Sequence, residues 1–589
     1  MSRQSENRIC QNCKNEFVIE PDDFGFYEKI KVPPPTFCPL CRAERRFVWR
    51  NERKLFRVDN AFTGKEMLST FPKESGKKVI TREEWNGDGW EAMDHAMDYD
   101  FSRNFFDQLM ELNMKVPIYG FNVARMINSP YSFNAQGMKN SYLVVNSSFS
   151  ENCMYGNAVN HSKDCIDNSH IKQSERCYES FWLDNCYQCY FTTRSMESRN
   201  LYFCRGCVGC SDCFGCVNLR SASYQIFNKQ YSKEEYFKEL EKLGLDKFSG
   251  ITEAYNKSRA FWDTQPVKYH QGLKNVNSTG SYVTNCKNVN DSFLVRESED
   301  MRFCQYIEED PGSKDNYDVS VWGQNTELCY ETMECGDSSY NNKFSVNCWP
   351  ACRDSEYCMY NFSSSDCFGC VGLKKKQYCI LNKQYSKEDY EAMVEKIKIH
   401  MDEMPFVDKK GLIYRYGEFF PIQFSPFGYN NTIAIEHFRM TKEEAEDNGY
   451  GWLEAPKGEY TVTKKSSQLE DSINDIKDAI LEEVIECDNC KKAYRILENE
   501  LIFLRNEKIP VPRLCNECRH KRRIADRLTL HLYNRECMCA GERDETGVYL
   551  NTKFHDHKNL HCEVSIKTGY VPSGPEIVYC DKCYQQEVY

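Results

Sequence analysis

The chain has 589 residues, a net charge of −12, 14% aromatic content and 33 cysteines. That length predicts several domains with ample core, and the acidic balance excludes a general polyanion binder, so any nucleic-acid contact must use local basic patches. No apolar run reaches membrane-spanning length, and the polar start MSRQSENRIC lacks a signal-peptide core. A reducing cytoplasm is therefore expected, with the CxxC pairs as metal ligands rather than disulfides.

The chain opens on Cys10-x2-Cys13 and Cys38-x2-Cys41. Two CxxC pairs separated by a short segment suit one tetrahedral zinc ion. A basic run follows, with Arg42, Arg45, Arg46, Arg50 and Arg53 around Phe47 and Trp49. Residues 55–90 then read as a degenerate, metal-free ribbon, held by apolar packing from Trp85, Trp90 and the run Phe101–Leu112. The predicted first domain is residues 1–114: zinc ribbon, degenerate ribbon and helix.

The middle reads as a duplicated β-solenoid. Cys153, Cys165, Cys177, Cys189 and Cys213 fall on a 12-residue period, with Leu201 in the empty slot. Short apolar strands alternating with Asn, Ser and Asp turns at fixed period predict a coil with inward ladders, and cysteine is small enough for a ladder. Residues 211–236 align with 365–390 at 18 of 26 identical positions. Ser232 and Ser386 predict N-caps of closing helices. The predicted domains are a first lobe (115–230), a capping helix and linker (231–265), a second lobe (266–385) and a second capping helix (386–404). Cys204, Cys207, Cys210, Cys213 and Cys216 recur every three residues; ladder positions and an iron–sulfur or zinc cluster are the competing readings.

Residues 405–486 read as an aromatic connector followed by an amphipathic helix with Leu469, Ile473, Ile476, Ile480 and Val484 at helical spacing. Residues 487–589 then predict two more zinc ribbons. Cys487-x2-Cys490 and Cys515-x2-Cys518 repeat the first quartet at a constant offset of 477, and Arg519, Lys521, Arg522 and Arg523 repeat the basic run. Beyond them, Cys537, Cys539, Cys580 and Cys583 form a third predicted quartet, facing Asn60, Phe62, Thr81 and Glu84 of the degenerate copy. Cys562, His555, His557 and His561 could supply a replacement ligand, or be a buried thiol and exposed imidazoles. Three zinc ions are expected in all.

The Cys38–Arg42 ribbon ending, the Phe214–Leu219 solenoid closure, the Asn228–Tyr236 helix start and the Ile577–Tyr584 end resemble an uncharacterised family of large multi-zinc-ribbon/β-solenoid proteins predicted in candidate-phyla bacteria with small genomes. The resemblance implies the architecture above, a multidomain, mainly β chain, and no activity.

The leading functional expectation is a non-enzymatic zinc-binding scaffold whose ribbons contact RNA or a ribonucleoprotein. Its nucleic-acid residues would be Arg42, Arg45, Arg46, Arg50, Arg519, Lys521, Arg522 and Arg523, because arginines with interleaved aromatics suit phosphate contact and base stacking. The alternatives are a protein-assembly scaffold without nucleic acid and a carbohydrate-binding or carbohydrate-active solenoid. No nucleophile–base constellation, Walker loop or dinucleotide fingerprint appears, so no catalytic residue is assigned.

Overall fold

A computed structural model describes residues 4–454, 460–539, 551–557 and 561–589. The protein is mainly β, a duplicated solenoid with cysteine-rich ribbons at both ends. The solenoid's construction is more regular than the 12-residue period suggests. Every third residue takes a left-handed conformation: Asn140, Leu143, Asn146, Phe149, Asn152 and Tyr155 all have φ between 49° and 54°. Each left-handed residue turns the chain, so a 12-residue coil has four sides of three residues. Successive coils pair in parallel, as in Ser169↔Phe181 and Phe181↔Thr193.

This geometry explains the composition. A three-residue side spans only roughly 10 Å, and one residue in three faces the narrow interior. Cys153, Val159, Cys165, Ile171, Cys177, Leu183 and Cys189 are each at most 1% exposed. Side chains of this size fit, whereas an aromatic ring would not. Asn and Asp tolerate the left-handed corners. Where an aromatic stands there instead, stacking between coils compensates: Phe191 and Phe203 lie parallel at 4.7 Å.

The thiols also have local partners. Cys153 Sγ donates to the Glu151 carbonyl at 3.3 Å, and Cys165 Sγ to that of Lys163 at 3.2 Å. Cys204, Cys213 and Cys216 likewise face the carbonyls of Tyr202, Ser211 and Phe214 at 3.4, 3.4 and 3.3 Å. Their three-residue spacing is thus the side length of the coil, and among the described residues they join no metal-ligating group.

Each lobe ends in a short antiparallel turn and a helix. The first helix, Lys233–Glu241, is capped by a reciprocal Ser232–Glu235 box; the second, Lys387–Glu403, by Ser386. Tyr236 and Tyr390 are buried beneath them, covering the last coil's edge. A further helix, Phe248–Asp263, follows the first cap, within the segment read as linker.

One predicted element is absent. Residues 467–486 form no α-helix but short 3-10 turns at Ser466–Gln468, Ile473–Asp475 and Asp478–Glu482. Leu469, Ile473, Ile476 and Ile480 are all buried. Extended backbone at Ile476 and Lys477 interrupts the helix while keeping the apolar side chains on one face, so burial and periodicity agree without α-helical hydrogen bonding.

Candidate metal centres

Three ribbons share one local design. In the first, the Cys10 amide donates to the Asn15 carbonyl at 2.9 Å and the Lys14 amide to the Cys10 carbonyl at 3.1 Å. Cys487 with Lys492 and Lys491 repeats both bonds at 3.0 and 3.1 Å. Asn60 with Lys65 and Gly64 repeats them at 2.9 and 2.8 Å. The residue after the turn is left-handed each time: Lys14, Lys491 and Gly64. This knuckle brings the first and fourth residues of the motif together. The fourth ribbon, starting at Cys537, places its strands Tyr533–Glu536 and Ser565–Thr568 as the second places Phe56–Asp59 and Glu66–Ser69.

The ligating atoms of Cys10, Cys13, Cys38 and Cys41 all lie within 4.8 Å of one another, as do those of Cys487, Cys490, Cys515 and Cys518. Cys13 and Cys38 Sγ atoms stand 3.7 Å apart, and so do those of Cys490 and Cys515. A tetrahedral ion with bonds of about 2.3 Å requires sulfur separations of about 3.8 Å. Asn12 donates to Cys41 Sγ and Asn489 to Cys518 Sγ, both at 3.4 Å. Hydrogen bonds from the Cys38 and Cys41 thiols hold Cys10 far below its ordinary value, while Cys10 pushes Cys38 up to about 12. Cys41 is likewise pushed up by its hydrogen bonds with Cys10 and Cys38, so without an ion the cluster favours one thiolate among neighbouring thiols.

The third predicted quartet requires a correction. Cys537, Cys580 and Cys583 come together with Cys562, not with Cys539. The ligand spacing of the other ribbons accounts for this. Their second ligand position is three residues after the first, as in Cys10-x2-Cys13, and that position after Cys537 is Ala540. Cys539 stands one residue too early, and Cys562 supplies the missing thiol. Cys539 instead groups with His555, His557 and Cys583. His561 stays at the surface opposite Glu536. The signal for Cys562, His555 and His557 was present in the sequence: the segment between the ribbon's two strands is far longer here than the tight turn after Asn60, and it carries these donors.

In the degenerate copy, hydrogen bonds stand where thiolates stand elsewhere. Asn60 Nδ2 donates to Glu84 Oε2 at 2.6 Å, the Thr81 amide to the same carboxylate at 2.9 Å, and the Thr63 amide to Asn60 Oδ1 at 3.0 Å. Thr81 and Glu84 form a capping box on the helix Arg82–Asn86, just as Cys580 caps Asp581–Val588 by accepting from the Cys583 amide. Trp85 is 1% exposed, packed against Tyr119 and Phe362 at 5.3 and 4.6 Å. Asn60→Ala should cost about 1–2 kcal/mol in denaturant unfolding and leave metal content unchanged; loss of an ion would show that this copy also binds one.

Six of the eight residues expected to contact nucleic acid are instead buried against the solenoid. Arg42, Arg45, Arg46, Arg50, Arg519 and Arg523 are 0–6% exposed. They lie on or just beyond the helices Pro39–Phe47 and Asn516–Ile524, which dock on the solenoid. Arg42 and Arg46 grip Asp318 at 2.8 and 3.0 Å, and Arg45 grips Glu331 at 2.7 Å. At the other end Arg519 and Arg523 grip Asp167 at 2.8 and 2.9 Å, and Arg522 grips Glu179 at 2.6 Å. Arg50 pairs with Glu52 and Glu334. Only Lys521 of the eight is fully exposed, with Arg522 partly so.

The two docking sets share their three principal arginine–carboxylate pairs. Following the strand register through each lobe (Lys163↔Glu175 in the first, Lys314↔Glu327 in the second), Asp167 corresponds to Asp318 and Glu179 to Glu331. The attachment is crossed: the N-terminal ribbon sits on the second lobe and the C-terminal ribbon on the first.

Between the lobes lies a cavity of about 400 Å³, lined among others by Glu52, Asn146, Glu308, Glu309, Trp322 and Trp349. Burial pushes Glu52 and Glu309 above the usual carboxylate range, and His170 meets Glu308 at 3.0 Å. Among the described residues, no helix is long and apolar enough to cross a membrane.

No family model matches the chain, and no curated protein matches it. Among solved structures, the one described as "putative acetyltransferase from Desulfovibrio desulfuricans G20" shares 10% identity over 46% of this chain and 69% of its own, with a TM-score of 0.10.

Proposed function

We propose that this chain is a non-enzymatic scaffold stapled by zinc, working in a reducing compartment such as the cytoplasm and holding protein partners on a rigid double solenoid. The observation carrying this reading is the crossed pair of arginine–carboxylate docks. They turn the basic faces of the ribbons inward, so the ribbons act as fasteners. Zinc suits the thiolate quartets, with one ion each for the two terminal quartets and one for Cys537, Cys562, Cys580 and Cys583. At least three zinc ions should therefore copurify with protein prepared without added metal. The protein should also show no RNA retention at low salt; salt-steep retention lost on replacing Lys521 and Arg522 would restore the RNA reading. Metal close to zero, or iron in its place, would remove the zinc fasteners.

The inter-lobe cavity favours a second reading, binding of a polyhydroxylated carbohydrate. Amides and carboxylates beside Trp322 and Trp349 match the polar rim and apolar faces of a sugar. Calorimetric titration with neutral oligosaccharides should detect binding that Trp349→Ala weakens at least tenfold; absence of heat across a broad panel would rule this reading out.

A further inference from the structure

We propose that the last ribbon, starting at Cys537, is a dinuclear metal centre, holding two divalent zinc-like ions at once with Cys583 Sγ as a thiolate bridge. Cys537, Cys562, Cys580 and Cys583 bind one ion; Cys539, His555, His557 and the same Cys583 bind the other. The inference rests on the reading of the ribbons as zinc sites and adds a fourth ion to the three quartets.

Two complete tetrahedral donor sets share one sulfur. The donor atoms of each set lie within 4.8 Å of one another, and seven residues supply both. Cys562 and Cys580 Sγ atoms are 4.0 Å apart in the first. In the second, Cys539 Sγ lies 3.1 Å from both His555 Nδ1 and His557 Nε2, and Cys583 Sγ lies 3.6 Å from His557 Nε2.

The second set gathers two imidazole nitrogens around one sulfur. His555 is 0% exposed, and its Nε2 meets Glu587 Oε2 at 2.9 Å. A proton on Nε2 leaves a lone pair on Nδ1 aimed at Cys539. The Nε2 atom of His557 faces the same sulfur. One thiol proton serves at most one of the two imidazoles, whereas one cation accepts electron pairs from both imidazoles and from two thiolates at once.

Supporting groups hold these ligands as a metal site requires. The carboxylate–imidazole contact fixes the tautomer of His555. Glu587 Oε1 is itself held by the Thr552 amide and hydroxyl at 2.7 and 2.6 Å. Asn551 Nδ2 donates to Cys539 Sγ at 3.0 Å, while its Oδ1 accepts from the Tyr579 hydroxyl. Such support is matched to the donors, and these donors occur in none of the other three ribbons.

Charge points the same way. Four thiolates around one divalent ion leave a net charge of −2. Adding one thiolate, two neutral imidazoles and a second divalent ion reduces it to −1, which eases burial of the centre. Ligand binding releases the thiol protons to solvent, and no redox change is involved. Mixed sulfur and imidazole donors select a borderline-soft ion such as zinc.

Native mass spectrometry of the intact chain, purified without added metal, should count four zinc ions, and His557→Ala should count three. A wild-type count of three overturns the dinuclear proposal while leaving three zinc-bound quartets; a count near zero overturns both. A readout independent of any variant comes from exchange with cadmium-113. Four resonances are expected, two of them split by coupling through the shared sulfur. Four resonances without that splitting would show separate ions and sink the bridge.

Discussion

Stripping metal from the reduced protein should unfold the two terminal ribbons and release the helices docked behind them. The expected loss at neutral pH is on the order of 10 kcal/mol per site, by comparison with small zinc-finger domains whose metal binding is their folding energy. The physical reason is local. The first ribbon's own secondary structure is one hairpin, Glu6–Ile9 with Glu16–Ile19, and two short helices. Its quartet joins the hairpin turn to the start of Pro39–Phe47, so an ion held there would set where Arg42, Arg45 and Arg46 begin. Without the ion, four thiols remain at metal-bonding distance with no bond between them. Limited proteolysis after chelation should open new cuts near residues 10–41 and 487–518, and Cys490→Ser should open the second set alone. An unchanged cleavage pattern and melting temperature after complete metal removal would show that packing on the solenoid suffices.

Asp318→Ala should destabilise the protein by about 3–5 kcal/mol, and Asp167→Ala by a similar amount, because each removes a buried carboxylate shared by two buried guanidinium groups. Arg42 and Arg46 share Asp318, all three side chains being 0–1% exposed; the other end is built alike. These pairs need not add much net stability over an apolar interface, since desolvation opposes their attraction. Their removal one-sidedly is what costs. Asp315→Ala is the control: its partner Lys29 is half exposed, so the loss should stay within about 1 kcal/mol. Denaturant melts of the three variants test the contrast. Equal small losses in all three would mean that water reaches the buried arginines when their carboxylate is removed.

How much of this was legible beforehand depends on what kind of information each feature needs. Thiolate spacing is local, so Cys10-x2-Cys13 and its three partner pairs could be read directly. The replacement at Cys539 could also have been read, by measuring Cys537 against the x2 rule and asking which donor fills the place of Ala540. The three-residue side of the solenoid was present in the run Cys204 to Cys216, but the 12-residue period masked it. The helix expected over 467–486 failed because the apolar spacing is the same for an α-helix and for short 3-10 turns lying on a surface.

The arginines mark the boundary most clearly. A basic run after a ribbon looks the same whether it faces water or a carboxylate brought from elsewhere in the chain. Asp318 and Glu331 are some 270–290 residues away from Arg42, Arg45 and Arg46, and their equivalence to Asp167 and Glu179 is hidden because coils of the second lobe differ in length from the 12 residues of the first. The sequence by itself determined the two terminal cysteine quartets, the duplicated ribbons and the repeating coil, since each depends on spacing along the chain. Only the tertiary structure decided that the ribbons dock crosswise, that their charges are consumed internally and that Cys583 belongs to two donor sets, because each of these depends on which distant groups share the same few ångströms.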